Sequence, residues 1–177
     1  MKNTGIVRKV DNLGRIIIPK EIRKRMCIHD DEPMEIYIEG GKVILQKFSP
    51  MEDMSGIHFM MSGLYKTFKR PIMICDREKV IQGFQVPSEI VNGALIAPEF
   101  TKLIDTRRAH TSDSIITRVV TDSTVQMLAM HPIITPNCDL YGAVVMFAKS
   151  STLDEPFVEM ALGTKLMADS IAEYFNV

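Results

Sequence analysis

The stretch at residues 5–26, GIVRKVDNLGRIIIPKEIRKRM, constrains the fold of this chain more than any other. Two short runs of apolar and basic residues, 6–10 and 15–18, flank the sequence Asp-Asn-Leu-Gly. Asp and Asn side chains favour turns by bonding to nearby backbone, and glycine adopts positive φ without steric cost. Pro19 suits the first turn of a helix, where its missing N–H is no loss. The stretch therefore predicts a β-hairpin, with strands at 6–10 and 15–18, followed by a short helix.

Positive charge is concentrated in this part of the chain. Residues 1–25 contain eight Lys or Arg and two acidic residues, a local net charge of +6, whereas the whole chain carries −1. Neutralising phosphates releases counterions, so a basic patch favours nucleic acid, and a two-stranded ribbon fits the major groove of DNA. The run Arg23-Lys24-Arg25 alone is more typical of a solvated helix face. The prediction of a nucleic-acid partner therefore depends on the whole pattern.

The pattern TGIVRKVDNLGRIIIPKEIRKRM, continued by MEIYIEGGKVILQKFSP, resembles the N-terminal DNA-binding domain of the AbrB family of bacterial transition-state regulators. The resemblance covers residues 3–50 and implies a swapped-hairpin domain that forms an intertwined dimer and binds double-stranded DNA. It implies DNA contacts from Arg8 and Arg15 beside the turn and from Arg23 and Lys24 on the short helix, and we expect Lys9 and Asn12 as additional contacts. Lys24 stands where the family more usually has Arg, and Cys27 where it often has Gly.

The rest of this domain also reads as β structure. Residues 34–39 alternate between apolar and polar, which predicts a half-buried strand, and Gly40-Gly41 predicts a tight turn into a strand at 42–47. The run Ile16-Ile17-Ile18 does not alternate, which is typical of a strand covered on both faces. A domain of about fifty residues buries too little surface to provide that cover alone. Dimerisation is the predicted solution, since it also pairs open strand edges.

The second part of the chain has the pattern of a folded α+β domain. The sequence Ser49-Pro50-Met51-Glu52 is typical of a helix start, so a helix is predicted at 50–68. Further elements are predicted as strands at 71–76 and 79–84, a helix at 98–108, strands at 115–120, 125–134 and 141–148, and a final helix at 154–175. This order, and the blocks PIMICDRE and DLYGAVVMFAKSSTL, resemble the GAF domain of sporulation regulators in the same family.

The predicted fold class is therefore α+β, with three segments. Residues 1–48 form a swapped-hairpin domain, 49–55 a linker leading into a helix, and 56–177 a GAF-like domain. GAF domains often hold a small ligand between the sheet and variable loops, here 85–114, but no ligand-binding residue is identifiable. Oligomerisation, giving a tetramer, and sensing of an unidentified small ligand are equally open. On the final helix, Val158, Leu162 and Leu166 lie off the main apolar face, which predicts a second packing partner.

Several function classes are disfavoured by composition and spacing. The chain has no apolar run of transmembrane length and no signal-peptide core, so we expect a cytoplasmic protein with no membrane partner. Three widely spaced Cys and four scattered His indicate no metal site, and no cofactor is expected. The sequence His-Thr-Ser-Asp-Ser at 110–114 contains residue types of a catalytic triad, but it falls in a predicted loop. We therefore expect no enzyme activity.

The sequence favours a homo-oligomeric, DNA-binding transcription regulator, and the family resemblance implies control of sporulation or transition-state genes. One alternative is an antitoxin, because similar swapped hairpins bind protein toxins through the segment after the hairpin. Such segments are usually extended and acidic, whereas here the segment is patterned as a folded domain. Another alternative is a small-molecule-binding module whose positive charge is incidental.

Overall fold

A computed structural model describes residues 5–26, 28, 30, 34–48, 51, 54–111, 118–121, 125, 127–148 and 157–175. The chain divides into two compact units, Met1–Phe48 and Ser49–Val177. Each unit has its own secondary structure, and the sheets of the two units are separate.

The first unit contains one short helix and one hairpin. Helix α1 spans Lys20–Arg25, strand β1 spans Met34–Glu39 and strand β2 spans Lys42–Lys47. The strands pair antiparallel, and Gly40 and Gly41 between them have φ values of 55° and 75°. Tight hairpin turns need positive φ at both central positions, which is why two glycines occur here. The hairpin predicted from residues 34–39 and 42–47 is confirmed.

The predicted strands at 6–10 and 15–18 are not formed within the chain. Only their connecting turn is present: the Asp11 N–H donates to the Arg15 carbonyl at 3.0 Å, and the Gly14 N–H to the Asp11 carbonyl at 3.0 Å. Within residues 5–26 and 34–48, no other segment lies alongside to complete a ladder of backbone hydrogen bonds. The predicted burial of one face of β1 is wrong for the isolated chain as well, since the side chain of Ile38 is 79% exposed.

The second unit consists of a five-stranded antiparallel sheet and three helices that pack against it. Its elements are α2 (Ile57–Phe68), β3 (Ile72–Cys75), β4 (Val80–Phe84), α3 (Pro98–Asp105), β5 (His110–Thr111), β6 (Met127–Ile134), β7 (Leu140–Phe147) and α4 (Phe157–Tyr174). The spatial order is β4-β3-β7-β6-β5. The central position of β7 follows from its nearly continuous apolar sequence, because both of its faces are buried. The predicted helices and strands are found in the predicted order, except that no strand is formed by the described residues of the range 115–120 and an unpredicted short strand, β5, precedes that range.

Several elements differ in position from the prediction; α3, for example, ends at Asp105 rather than at residue 108. Helix α2 begins at Ile57 rather than at residue 50, because Gly56 has a φ of 99° and ends the preceding turn. Met51 and Met54, predicted in the linker, are only 2% and 8% exposed and pack into the core of the second unit. A strand was predicted at 115–120, but the strand found in this part of the chain is β5, which lies before that range. Of that range, 115–117 lie outside the described residues, and Val120 forms only an isolated bridge with Ile96.

Side chains of the sheet alternate between two apolar layers. Ile72, Ile74 and Val144 face a layer that includes residues of α2 and α4, whereas Met73 and Val145 face a layer that includes residues of α3. β7 approaches β3 so closely at Gly142 that an added Cβ atom would lie 1.9 Å from the Cys75 carbonyl oxygen.

Among the described residues, no helix combines the length and apolarity that crossing a membrane requires.

Candidate nucleic-acid interface

The turn of the first unit is built around the carboxylate of Asp11. Its Oδ1 accepts the N–H groups of Leu13 at 2.9 Å and Arg15 at 2.8 Å. Its Oδ2 accepts the Nε–H of Arg15 at 2.8 Å. These bonds, first from the Arg15 backbone and then from its side chain, lower the pKa of Asp11. The turn is thus closed by one charged side chain that also holds the Arg15 guanidinium beside it.

The predicted contact residues beside the turn are all exposed. Arg8, Lys9, Asn12 and Arg15 lie in one short segment on the two sides of this turn. The only hydrogen bond described for the Arg8 guanidinium is a long one, 3.5 Å, to the Val7 carbonyl. Since these side chains make few bonds within the described part of the unit, their donors face solvent and can reach an anion.

The two predicted contact residues on α1 differ in burial and in their hydrogen bonds. Arg23 donates from Nη1 to Asp30 Oδ1 at 3.0 Å, and its Nε is buried without a hydrogen-bond partner among the described residues. Lys24 is exposed in the last turn, next to Arg25. Three successive basic residues at the end of a helix are compatible with its negative C-terminal dipole. The helix therefore presents cations, one of them held in place by an acid.

Two features of this segment were missed in the sequence. Asp11 was recognised as a turn former but not as the ion-pair partner of Arg15, and Asp30 was not recognised as the partner of Arg23. The spacing of four residues between Asp11 and Arg15 would have indicated the ion pair only if a turn between them had first been assumed. The spacing of seven between Arg23 and Asp30 carries no local signal.

The first unit exposes many large apolar side chains. Val7 is 84% exposed, and the others are Ile6, Val10, Leu13, Ile16, Ile17, Met26, Ile36, Tyr37, Ile38, Val43, Leu45 and Phe48. Soluble proteins rarely expose contiguous apolar surface on this scale, and where they do it marks an interaction site. The isolated chain therefore leaves an interface of the first unit uncovered.

A second apolar surface lies on α4. Val158, Leu162 and Leu166, spaced four residues apart, are all exposed, and we call them the outer stripe of α4. Lys165 and Asp169, on the same helix, form an ion pair at 2.6 Å. The opposite face of α4 carries the buried residues Met160, Met167, Ala168 and Ile171. As predicted, α4 is apolar on two sides, and among the described residues of the unit only one of these sides is covered.

The described residues form no catalytic arrangement at 110–114. His110 and Thr111 belong to β5 rather than to a loop, and His110 Nε2 lies 3.1 Å from Thr106 Oγ1. Residues 112–114 lie outside the described part. No group of three or more His, Cys, Asp or Glu suited to a metal ion occurs among the described residues. Burial raises the pKa of the Cys75 thiol, which makes that thiol a poor nucleophile.

In the comparison with known proteins, two different family models match the two parts of the chain. The family model described as stage V sporulation protein T C-terminal, transcription factor, matches residues 58–172. The model described as antidote-toxin recognition MazE, bacterial antitoxin, matches residues 7–52. Stage V sporulation protein T of Bacillus subtilis (strain 168) is 34% identical over 160 residues, which cover 88% of this chain and 89% of that protein.

Further relatives match a shorter part of the chain. The transition state regulatory protein AbrB of Bacillus subtilis (strain 168) is 52% identical over 50 residues, 28% of this chain and 52% of that protein. A solution structure of the N-domain of the transcription factor abrB is 52% identical and covers 28% of this chain and 96% of that chain, with a TM-score of 0.27. A second solution structure, of the N-terminal DNA recognition domain of the Bacillus subtilis AbrB regulator, has the same identity and a TM-score of 0.25.

Proposed function

Because the chain belongs to the family of stage V sporulation protein T, we propose that it is a DNA-binding transcription regulator of sporulation or transition-state genes. Residues 1–48 read double-stranded DNA, and the GAF-like second unit controls assembly or senses a small ligand. The observation that carries the proposal is the turn at residues 11–15, where Asp11 orders Arg15 within a segment of net charge +6. The protein acts in the cytoplasm, without enzyme activity.

The exposed apolar surface of the first unit supports dimerisation. The segments 6–10 and 15–18 have the sequences of strands but lack partners within the described part of the chain. Exchange of these segments between two copies supplies backbone partners for each and covers side chains such as Val7 and Ile17. The dimer also doubles the basic surface. Intertwining of two first units is therefore the proposed form of the DNA-binding domain.

The proposed DNA contacts are Arg8, Lys9, Asn12 and Arg15 beside the turn, and Arg23 and Lys24 on α1. Arg15 is the central residue, because Asp11 fixes its guanidinium while leaving Nη1 and Nη2 to donate to a phosphate or a base edge. A guanidinium that is already ordered loses less entropy on binding than a free one. Arg23, paired with Asp30, has the same advantage on the helix.

The second unit provides a further interface in this proposal. The outer stripe of α4 has the spacing of a helix that packs against another helix, and a second copy of the unit offers the same stripe. Two intertwined dimers joined by these stripes make a tetramer. The same unit is the proposed sensor. The effect of a ligand bound there is transmitted to the DNA-reading unit through the connecting chain.

The antitoxin alternative is supported by the match of residues 7–52 to an antitoxin family model. In that function the segment after the hairpin binds the toxin. In this chain Met51 and Met54 instead enter the core of the second unit, and folded structure follows from Ile57. A small toxin that co-purifies with the full chain would establish the alternative.

The proposal is tested by measuring duplex DNA binding of the full chain, of Arg15→Ala and of Lys102→Ala. Lys102 is an exposed cation on α3 in the second unit, so it controls for the loss of one positive charge. Loss of Arg15 removes two contacts per dimer and should weaken binding by at least about tenfold. Lys102→Ala should bind as the wild type does. Equal binding by both variants, at unchanged oligomer mass, would overturn the proposed role of the turn.

A further inference from the structure

The outer stripe of α4 is flanked by charges of opposite sign. Leu162 is the middle residue of the stripe, and the exposed residues Glu159 and Lys165 lie three residues before and three residues after it. Since an α-helix turns by about 100° per residue, Glu159 lies about 60° to one side of Leu162 and Lys165 about 60° to the other side. The stripe therefore has one acidic flank and one basic flank.

The basic flank is ordered within the chain and still accessible. Lys165 Nζ donates to Asp169 Oδ2 at 2.6 Å, one turn further along the helix. The side chains of these two residues are nevertheless 53% and 57% exposed. An ammonium group has three N–H donors, so Lys165 can bind a second carboxylate that approaches from outside the helix.

Two copies of α4 can pack through their stripes in two orientations. If the helices run in the same direction, a two-fold axis lies along the stripes, and each flank faces the opposite flank of the other copy. Glu159 of each copy then lies beside Lys165 of the other. If the helices run in opposite directions, each flank faces the same flank of the other copy, so like charges meet. Charges that flank an apolar seam determine the orientation of helix pairs in this way.

We propose that α4 packs against α4 of a second copy in the same direction, with the stripes in contact and Glu159 of each copy paired with Lys165 of the other. This pairing rests on the proposed tetramer and specifies its interface. Rows of side chains spaced four residues apart interdigitate when two helices cross at about 50°, so the contact extends about one turn to either side of Leu162. The stripe, from Val158 to Leu166, has this length.

The orientation is tested by oxidative cross-linking of full-length Val158→Cys, Leu162→Cys and Leu166→Cys proteins, without DNA. Helices that run in the same direction bring each position next to its own copy, so all three variants should form cross-linked pairs of chains. Helices that run in opposite directions bring only position 162 next to its own copy. Cross-linking of Leu162→Cys alone, or of none of the three variants, would overturn the proposal.

Two proteins and one measurement serve as controls. The wild type, which contains three cysteines, gives the background, and Val91→Cys, at an exposed apolar position outside the stripe, should not exceed it. Light scattering before oxidation gives the mass of each protein. A mass of two chains would contradict the proposed tetramer itself. A mass of four chains without cross-links at positions 158 and 166 would contradict only this pairing of the helices.

Charge reversal tests the contact between Glu159 and Lys165. Glu159→Lys and Lys165→Glu each place like charges side by side, so each should raise the dissociation constant of the tetramer about tenfold. The double variant restores unlike pairs and should assemble more tightly than either single variant. Lys102→Glu, which makes the same change of charge on α3, should assemble as the wild type does. Single variants of wild-type affinity, or a double variant no tighter than both, would show that these residues do not pair.

Discussion

In the proposed DNA-binding role, Asp11 contributes in two opposite ways, through its charge and through the turn that it closes. Its carboxylate is a negative charge in a basic segment, which weakens attraction to phosphates. The same carboxylate accepts three hydrogen bonds that close the turn and hold Arg15. Substitution of this residue therefore separates the two contributions.

We predict that Asp11→Ala weakens binding to duplex DNA several-fold, although it raises the net positive charge. The reason is that the turn loses its side-chain bonds and Arg15 loses its ordering partner. Glu39→Ala, which removes one exposed acid from β1, is the charge-matched control and should bind equally well or slightly more tightly. Tighter binding by Asp11→Ala, measured by fluorescence anisotropy at constant salt, would mean that charge alone governs the interaction.

At the residue scale, the sequence predicted what depends on local chemistry. The tendencies of Asp11 and Gly14 to form a turn are properties of single side chains, and the turn is present. The ion pair between Arg23 and Asp30 was not predictable, because it depends on how the chain returns after α1. The burial of Met51 and Met54 was missed for the same reason: a local helix-start pattern cannot show that two side chains enter a distant core.

Among the elements, the contact between β3 and β7 depends on one glycine. We predict that Gly142→Ala destabilises the second unit by about 3 kcal/mol, because the new Cβ meets the Cys75 backbone and neither strand can move without disturbing the sheet. Chemical denaturation of the full chain, followed by circular dichroism, measures the change.

Gly63→Ala is the matched control for this substitution. Gly63 lies in the middle of α2, is exposed, and has no atom within 4 Å of the position of an added Cβ. Alanine is the better helix former by roughly 1 kcal/mol, so this variant should be more stable than the wild type. A Gly142→Ala protein as stable as the wild type would show that the two strands are not packed as described.

Element types were largely predictable in the second unit, since its strands are apolar runs bounded by turn residues. Strand β7 was recognised as central because nearly all of its residues are apolar. Strand β5 was not recognised, because two residues, His110 and Thr111, carry too short a pattern. In the first unit, the strands at 6–10 and 15–18 were predicted from sequence but lack a partner in the described chain. Pairing between chains explains that difference in the proposed dimer.

For the whole molecule, the outer stripe of α4 makes a prediction about assembly. Leu162→Glu should reduce a tetramer to a dimer, because a buried carboxylate at a helix interface is costly. Leu162 is 66% exposed, so the change should leave the stability of the unit nearly unaltered. Val91→Glu places the same charge at another exposed apolar position of the unit and should not change the mass. Light scattering after gel filtration measures both, and an unchanged mass for Leu162→Glu would contradict the proposed interface.

In the proposed function, two copies of the first unit bind the phosphate backbone of duplex DNA with their combined positive charge. Six basic residues, Arg8, Lys9, Arg15, Arg23, Lys24 and Arg25, give twelve positive groups in a dimer. If about half of them contact phosphates, the logarithm of affinity should fall with the logarithm of salt concentration at a slope of roughly −5.

The most direct measurement is therefore the affinity of the full-length protein for duplex DNA across a salt series. We predict a loss of affinity of about a thousandfold between ~50 and ~200 mM salt. A slope near zero, or no binding at the lowest salt, would contradict it, because the positive charge of the first unit would then be an ordinary solvated surface.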